Sequence, residues 1–139
     1  MKKNALINAE LSYVIATLGH TDEITICDAG LPIPDEAQRI DLALIPGVPT
    51  FIATVKAVLG EMQIEGVIIA EEFKTVSPEH HAALIELIQH EQVLCGKTIA
   101  INYIPHEAFK VHTQNSKAVV RTGECTPYAN VIFQSGVVF

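Results

Sequence analysis

The sequence predicts an α/β fold in which a central mixed β-sheet is flanked by helices on both faces, giving three layers. Segments with an apolar residue at every second position alternate with segments whose apolar residues recur every three or four positions; the first pattern is typical of strands and the second of helices. The continuous apolar run at residues 66–70 is typical of a strand covered on both sides. No internal repeat or long linker divides the 139 residues, so we expect one domain over residues 1–139.

Caps and chain-breaking residues predict where the elements of the first half begin and end. Asn8 is a possible helix cap and Gly19 a possible helix stop, and the residues between them are apolar at helical spacing. Thr50 caps a second helix after a turn at residues 46–49. The predicted elements are a helix between Asn8 and Gly19, strands at 23–27 and 39–44, a helix with Phe51, Ile52, Val55, Val58 and Leu59 on its buried face, and a strand at 66–70.

The second half begins with a long helix. Ser77, Pro78 and Glu79 stand in the order cap, proline and acid that favours a helix start, and Gly96 ends that helix. Its inward residues are predicted to be Leu84, Leu87 and Ile88, and the later elements are a strand at 98–103, a short helix at 105–110 and strands at 118–121 and 131–133.

Composition excludes several classes of function. The net charge is −7 with only nine Lys and Arg residues, so we expect no nucleic-acid partner. The chain is 49% hydrophobic with a mean hydropathy of +0.31, yet no window approaches the roughly 18 apolar residues of a membrane span. The surplus apolar surface is expected to meet other subunits. Polar residues interrupt the segment after Met1, which is unlike a signal peptide, so we expect a cytoplasmic protein.

The sequence carries no signature of a metal or cofactor site. Cys27, Cys95 and Cys125 are odd in number and lack CxxC spacing, which argues against disulfides and zinc. We expect Cys27 in the core, and the neighbouring carboxylate argues against a Cys125 thiolate nucleophile. The pair at residues 80–81 cannot share a helix face and is interpreted as solvated surface. The GxGxxG, GxxxxGK[ST] and GxSxG motifs are absent, so nucleotide binding and acyl transfer lose their usual signatures.

Two clusters of polar residues and glycine, at residues 19–34 and 123–130, predict a site. The His20 imidazole can donate or accept a proton near neutral pH, and the Asp28 carboxylate can accept hydrogen bonds from hydroxyls. Acid–base chemistry on a polyol is therefore possible. The alternatives are that His20 only complements the end of the first helix and that Asp28 only bonds its own turn.

Other polar residues are further candidates with equally plain alternatives. Tyr128 and Asn130 flank Ala129, so in an extended segment both would offer a hydroxyl and an amide to one side; a surface turn is the alternative. His106 follows a proline and can be no more than a first-turn residue of its helix. The carboxylates at 71–72 either support the site or form a solvated strand end, and the pattern favours the second interpretation.

Six ordered blocks resemble the D-ribose pyranase family, and the match runs nearly end to end. The related fucose mutarotases share parts of the pattern, whereas the helix at residues 77–96 contributes little. The blocks are residues 18–22, 27–34, 39–41, 61–63, 68–72 and 123–130.

The resemblance implies a cofactor-free sugar mutarotase that interconverts the pyranose and furanose forms of D-ribose. In this family the histidine at the position of His20 is the proton donor. A decamer of two stacked five-subunit rings, with sites between neighbouring subunits, is also implied. A fucose or other sugar mutarotase and a non-catalytic cytoplasmic sugar-binding module remain the alternatives. The family's substrate contacts carry over to Asp28, His106, Tyr128, Ala129 and Asn130.

Chain length adds one geometric expectation. A fully extended path from His20 to Asp28 would span up to ~26 Å, far more than a sugar. Either the chain curls back around Gly19 and Gly30, or one site takes its groups from two subunits.

Overall fold

The computed structural model describes all 139 residues and contains a six-stranded sheet with six helical elements, one of them a single 3-10 turn. The bounds agree with most predicted elements to within a few residues. In chain order they are α1 (Ala9–Thr17), β1 (Glu23–Cys27), β2 (Arg39–Asp41), α2 (Phe51–Leu59), β3 (Ile64–Ala70), α3 (Glu71–Val76), α4 (Pro78–Cys95), β4 (Ala100–Ile104), α5 (His106–His112), a 3-10 turn (Thr113–Asn115), β5 (Ala118–Arg121) and β6 (Val131–Ser135).

The sheet is mixed, as predicted, and its strand order is β2-β5-β1-β6-β3-β4. Strand β6 runs antiparallel to both of its neighbours, β1 and β3, while the other pairs are parallel. Five strands therefore end at one edge of the sheet, where β6 begins; we call this the carboxyl edge. The opposite edge, where β6 ends, is called the amino edge. In open sheets of this kind, ligands bind outside the carboxyl ends of the parallel strands.

Both faces of the sheet are covered, which confirms the three-layer prediction. Alternate residues of β1 point to opposite faces. Ile24 and Ile26 belong to a 23-residue apolar cluster with α1, α2 and α4, whereas Cys27 packs in a second cluster with Phe109 of α5. Burial of Cys27 was also predicted, and none of its side chain reaches solvent.

The predicted caps hold for two helices. The Asn8 side chain accepts a hydrogen bond from the Leu11 N–H (2.8 Å), and the Thr50 hydroxyl accepts one from the Ala53 N–H (3.1 Å). The Gly96 stop is confirmed as well, because this residue ends α4 in the left-handed conformation, with a φ of 68°. Gly19 is not a helix stop: α1 already ends at Thr17, and the next residue is an extended C-cap.

Three local predictions were wrong for identifiable reasons. The strand predicted at 39–44 stops at Asp41, because the Asp41 carboxylate accepts the Ala43 N–H (3.1 Å) and turns the chain. The helix α3 was not predicted, since six residues are too few to show a helical period. Ser77 precedes α4 but makes no capping bond with its side chain. Its hydroxyl donates to the Pro127 carbonyl instead.

Large apolar side chains remain exposed at both ends of the sheet. Leu44 and Ile45, in the loop after β2, are 78% and 59% exposed, and the C-terminal Val138 and Phe139 are 82% and 96% exposed. None of the helices has the length and apolar character that crossing a membrane would require.

Candidate functional site

The candidate residues divide between the two edges of the sheet. Asp28 follows β1, His106 follows β4, and residues 128–130 precede β6, so all of them lie at the carboxyl edge. His20 lies before β1, at the amino edge. The five extended residues of β1 alone span roughly 17 Å. The chain therefore does not curl back to bring His20 to Asp28.

Asp28 and Asn130 form a reciprocal pair. The Asp28 main-chain N–H donates to Asn130 Oδ1 (2.8 Å), and Asn130 Nδ2 donates to Asp28 Oδ2 (3.0 Å). The other carboxylate oxygen accepts the Gly30 N–H (2.9 Å), which is the turn role that was the alternative for Asp28. Asn130 is fully buried. Its amide thus orients the Asp28 carboxylate instead of facing open solvent.

Tyr128 sits in a turn, which was the alternative to an extended segment at residues 128–130. Its φ is +63°, in the left-handed region that tyrosine rarely adopts. The Asn130 N–H donates to the Tyr128 carbonyl at 2.7 Å, which closes a three-residue turn. Ala129 at its centre is fully buried, so only its main chain can meet a ligand. Positive φ values of this kind cluster at ligand sites, where surrounding contacts hold the backbone.

His106 and Tyr128 meet by their rings. The two rings stand nearly perpendicular with centroids 4.8 Å apart, and the other face of the imidazole stacks on Phe109 at 6.3 Å. The His106 main-chain N–H donates to both oxygens of Glu72 (3.0 and 3.2 Å). Glu72 therefore supports the site, contrary to the interpretation as a solvated strand end. His106 Nδ1 is buried without a hydrogen-bond partner.

Glu124 anchors the loop that carries Tyr128. Its carboxylate accepts hydrogen bonds from the Phe51 N–H (3.1 Å) and the Thr126 hydroxyl (2.8 Å), and His80 Nε2 lies 3.8 Å away. Burial raises the pKa of the Glu124 carboxyl, but the bonds from Thr126 and Phe51 and the charge of His80 outweigh it. The net effect is a pKa below the ordinary value of 4.5. A buried carboxylate thus ties the loop to α2.

Helix α4 holds the same loop from its other side. The Ser77 hydroxyl donates to the Pro127 carbonyl (2.7 Å), and His80 Nε2 lies 3.3 Å from the Thr126 hydroxyl. His81 Nε2 lies 2.8 Å from the Tyr103 hydroxyl. The prediction that residues 80–81 form solvated surface was therefore wrong: both imidazoles are half-buried and bonded.

His20 has one close partner. Its Nε2 lies 2.8 Å from Oε2 of Glu65, the second residue of β3. Its side chain is 55% exposed. At the amino edge the imidazole can therefore reach a molecule outside the chain.

The cysteine thiols differ in their surroundings. Burial, with the charge of Asp28, raises the pKa of the Cys27 thiol to about 12, so Cys27 stays protonated at neutral pH. Cys125 is exposed in the carboxyl-edge loop at residues 124–127, which lines the cleft there. No group of three or more His, Cys, Asp and Glu side chains is arranged to hold a metal ion.

Each edge has an open cleft, and neither cleft contains all the candidates. The carboxyl-edge cleft, of about 410 Å³, is lined by Asp28 and by the loop at 124–127. The amino-edge cleft, of about 440 Å³, is lined by His20 and by the C-terminal residues 135–139. Asp28 and the partly exposed His20 imidazole thus line different clefts, and His106 and residues 128–130 line neither of them.

Residues 1–138 match the RbsD / FucU transport protein family. The chain belongs to this family. It is 84% identical over its full length to a D-ribose pyranase of Photobacterium profundum and 69% identical to one of Vibrio cholerae, each covered completely. The resemblance that the sequence blocks indicated is thereby confirmed.

Solved structures of RbsD / FucU proteins have the same fold. Bacillus subtilis RbsD complexed with D-ribose matches with a TM-score of 0.90 at 46% identity, and all of both chains is covered. The fucose mutarotase of Streptococcus pneumoniae in complex with L-fucose matches with a TM-score of 0.82 at 23% identity, again over both whole chains. At that lower identity the match shows the fold alone.

Sequence reasoning missed three carboxylates in this RbsD / FucU chain. Glu65 lay outside the resembling blocks. Glu124 lay in one of them but was considered individually only for its effect on the next cysteine, and a supporting role for Glu72 was the less favoured of two alternatives. Their partners lie 45, 73 and 34 positions away in sequence, at His20, Phe51 and His106. Local periodicity holds no signal for contacts at such separations.

Proposed function

We propose that this protein is a D-ribose pyranase that interconverts the pyranose and furanose forms of D-ribose without a cofactor and acts in the cytoplasm. The name shared by full-length relatives supports the activity, and the D-ribose bound by B. subtilis RbsD supports the substrate. The observation that carries the proposal is end-to-end identity of 84% with a D-ribose pyranase.

The proposed chemistry is opening and reclosing of a hemiacetal ring. Opening needs a proton delivered to the ring oxygen and a proton removed from the anomeric hydroxyl. In our proposal His20 delivers the first proton, and Asp28 or His106 takes the second. When another hydroxyl attacks the freed carbonyl, both protons return and the other ring size forms. A positioned acid or base contributes about 3 to 5 kcal/mol of barrier reduction.

The carboxyl-edge residues are proposed to hold the sugar hydroxyls. The Asp28 carboxylate is already oriented by one hydrogen bond from the Asn130 amide and one from the Gly30 N–H, while the Asp28 N–H donates to Asn130 Oδ1, so it needs little reorganisation to accept hydroxyl protons. The Tyr128 hydroxyl and the main chain around Ala129 are further contacts. His106 Nδ1, buried without a partner in the free chain, is a polar atom that a sugar hydroxyl can satisfy.

The site is proposed to combine two subunits, since one chain keeps His20 and Asp28 at opposite edges. Exposed apolar residues border both clefts: Leu44 and Ile45 lie beside Ala29, and Val138 and Phe139 lie beside His20. Pairing the carboxyl edge of one copy with the amino edge of the next covers this apolar surface. A repeated contact between unlike edges closes into a ring when the rotation between copies permits it. Such a ring would agree with the decamer of two stacked five-subunit rings that the family resemblance implies.

Magnetisation-transfer NMR of D-ribose tests the activity. Adding the protein should speed exchange between the pyranose and furanose signals, and His20→Ala should reduce the catalysed rate about 100-fold. Ribose affinity should change much less. His90→Ala is the matched control, because His90 is an exposed imidazole on α4 away from both clefts of the candidate site. Binding of ribose without faster exchange in the unsubstituted protein would instead identify a sugar-binding module.

A mixing experiment tests the shared site. His20→Ala and Asp28→Asn chains are each expected to be inactive alone. If the two chains are unfolded together and refolded in equal amounts, about a quarter of the junctions receive both native residues, and activity should return to that extent. If no activity returns in assemblies shown to contain both kinds of chain, one chain forms the whole site.

The second candidate function is a fucose mutarotase, the activity named for the S. pneumoniae protein that has the same fold. The same exchange measurement, run with L-fucose beside D-ribose, separates the two. We expect faster catalysed exchange of ribose per unit of protein. The reverse order would move this chain to the fucose branch of the family.

A further inference from the structure

The amino edge contains a histidine–carboxylate pair built by two irregular pieces of backbone. His20 Nε2 and Glu65 Oε2 are 2.8 Å apart, although 45 positions separate the residues in sequence. A contact between two partly exposed side chains contributes little to stability by itself. The backbone arrangement around it is therefore the informative feature.

Glu65 is the extra residue of a β-bulge. Ile64 pairs with Ser135 and Gly66 with Gln134 of β6, so Glu65 has no cross-strand partner. Bulges of this kind re-aim a side chain and are frequent beside active sites. Gly136 makes room for it. A Cβ on Gly136 would lie 3.1 Å from the Glu65 Cβ and 3.3 Å from the Glu65 main-chain nitrogen.

His20 is held by a tight turn against the same strand end. The Asp22 N–H donates to the Gly19 carbonyl (3.2 Å), and the Asp22 carboxylate accepts the Gly19 N–H (2.8 Å). Thr21 has a φ of +69° and donates its N–H to the Ser135 carbonyl (2.9 Å). Ser135 also pairs with Ile64, directly before Glu65. Turn and bulge are thus fastened to one residue, which sets the distance between imidazole and carboxylate.

We propose that Glu65 is a positioning residue: it holds His20 through Nε2 and leaves Nδ1 as the nitrogen that exchanges the proton with the sugar. This inference rests on the proposed role of His20. A neutral imidazole carries its proton on either nitrogen, and a carboxylate bonded to Nε2 selects the Nε2–H form.

The proton balance follows from that assignment. In the imidazolium both nitrogens carry protons. Nδ1 gives its proton to the ring oxygen as the bond from that oxygen to the anomeric carbon breaks, and the anomeric hydroxyl passes its proton to Asp28 or His106 as the carbonyl forms. His20 is then neutral, with Nε2–H still donating to Glu65 and a lone pair on Nδ1. When a second sugar hydroxyl attacks the carbonyl carbon, its proton passes to that lone pair, the carbonyl oxygen takes a proton back from Asp28 or His106, and the imidazolium is restored. Glu65 touches neither the sugar nor the transferred proton.

Nitrogen-15 NMR of histidine in the assembled, sugar-free protein is the direct test. Neutral His20 should show the Nε2–H tautomer in the unsubstituted protein and in Glu65→Gln, whose amide oxygen can still accept from Nε2–H. Glu65→Ala should show a mixture of tautomers. A His20 that is predominantly Nδ1–H in the unsubstituted protein, or unchanged in Glu65→Ala, would overturn the inference.

Exchange kinetics supply the second readout. Glu65→Ala should lower kcat for ribose exchange about 10-fold, with KM changed less than about twofold. The kcat of Glu65→Gln should lie between those of Glu65→Ala and the unsubstituted protein. Glu23→Gln is the matched control, since it removes the carboxylate of the other histidine–glutamate pair at this edge, His112 Nε2 to Glu23 Oε2 at 2.9 Å; its kcat should not change.

The outcomes separate this inference from the proposed function. If His20→Ala abolishes exchange but Glu65→Ala keeps full kcat, His20 is the donor and the positioning role of Glu65 is overturned. A Glu65→Ala variant that raises KM with kcat intact also overturns it, because Glu65 would then act in binding. Normal exchange in His20→Ala overturns the function proposed for His20, while the tautomer measurement still reports on the His20–Glu65 contact.

Discussion

The two edges of the sheet hold their polar residues in opposite ways. At the carboxyl edge, buried groups hold each other: Asn130 is fully buried and orients Asp28, and the Glu124 carboxylate ties the loop to α2. At the amino edge, His20 and Glu65 are partly exposed and share a single close contact. One edge is thus held by buried contacts before any ligand arrives, while the other carries a partly exposed imidazole.

This difference matches two different demands of sugar mutarotation. Recognising hydroxyls needs acceptors fixed in advance, because any ordering on binding subtracts from affinity. Moving a proton needs an imidazole that solvent or substrate can reach, so that it can change its charge. The carboxyl edge should therefore lose stability when substituted, whereas the amino edge should lose activity.

Gly123→Ala should have the largest effect on stability. A Cβ at this position would lie 2.6 to 2.7 Å from main-chain atoms of Val48 and Ile45, which cannot move as a side-chain tip can. We expect the free energy of unfolding in urea to fall by about 3 kcal/mol. Gly60→Ala is the control, since its Cβ would meet nothing closer than 3.5 Å. Equal stability of the two variants would show that the loop at the carboxyl edge is not rigid.

Asn130→Ala should have the second largest effect on stability. It leaves the Asp28 N–H and one Asp28 carboxylate oxygen without partners in a partly buried setting, which costs about 2 kcal/mol of unfolding free energy. Ribose affinity, measured by calorimetry, should fall with it because Asp28 loses its orientation. Asn102→Ala, at an exposed asparagine of β4, should change neither quantity. If the affinity of Asn130→Ala for ribose is unaltered, the orientation of Asp28 does not matter for sugar binding.

The effect of Glu124→Gln on stability should be smaller at neutral pH, and it should depend on pH. The variant loses the charge that accepts from Phe51 and Thr126, and we expect about 1.5 kcal/mol less stability at pH 7. The folded-state pKa of Glu124 lies below 4.5, so its stabilisation is complete above that pH and disappears as pH falls through the lowered value. The difference in the free energy of unfolding between Glu124→Gln and the unsubstituted protein, measured in urea, should therefore narrow below pH 4.5. A gap that stays constant down to the acid-unfolding limit would contradict the ionised carboxylate.

The layered sheet could be predicted from sequence because its signals are local. Alternation at residues 23–27, the Thr50 cap and the Gly96 stop each depend on neighbours within a few positions. The strand that ends early at Asp41 shows the limit of such signals, since one carboxylate accepting the Ala43 N–H overrides the alternation of the next three residues.

The site was predictable only in part, because its function depends on long-range geometry. Residue types and the family resemblance named Asp28, His106 and Tyr128, but not the left-handed turn that presents Tyr128. Glu65 was invisible, since a bulge in β3 against β6 is created by strand pairing and leaves no local pattern. The separation of His20 from Asp28 was expected only as one of two alternatives, and the strand between them decides it for a single chain.

His20→Ala should have the smallest effect on stability and is the sharpest contrast with the carboxyl edge. The imidazole is 55% exposed and its pairing with Glu65 is open to water, so its loss should change the free energy of unfolding by less than about 0.5 kcal/mol. Ribose exchange should nevertheless collapse in the same preparation. If His20→Ala resists urea as the unsubstituted protein does but catalyses no exchange, proton transfer and structural rigidity belong to different edges of the sheet. A loss of stability as large as that of Asn130→Ala would mean that the amino edge is also a structural anchor, and that lost activity there reports on folding.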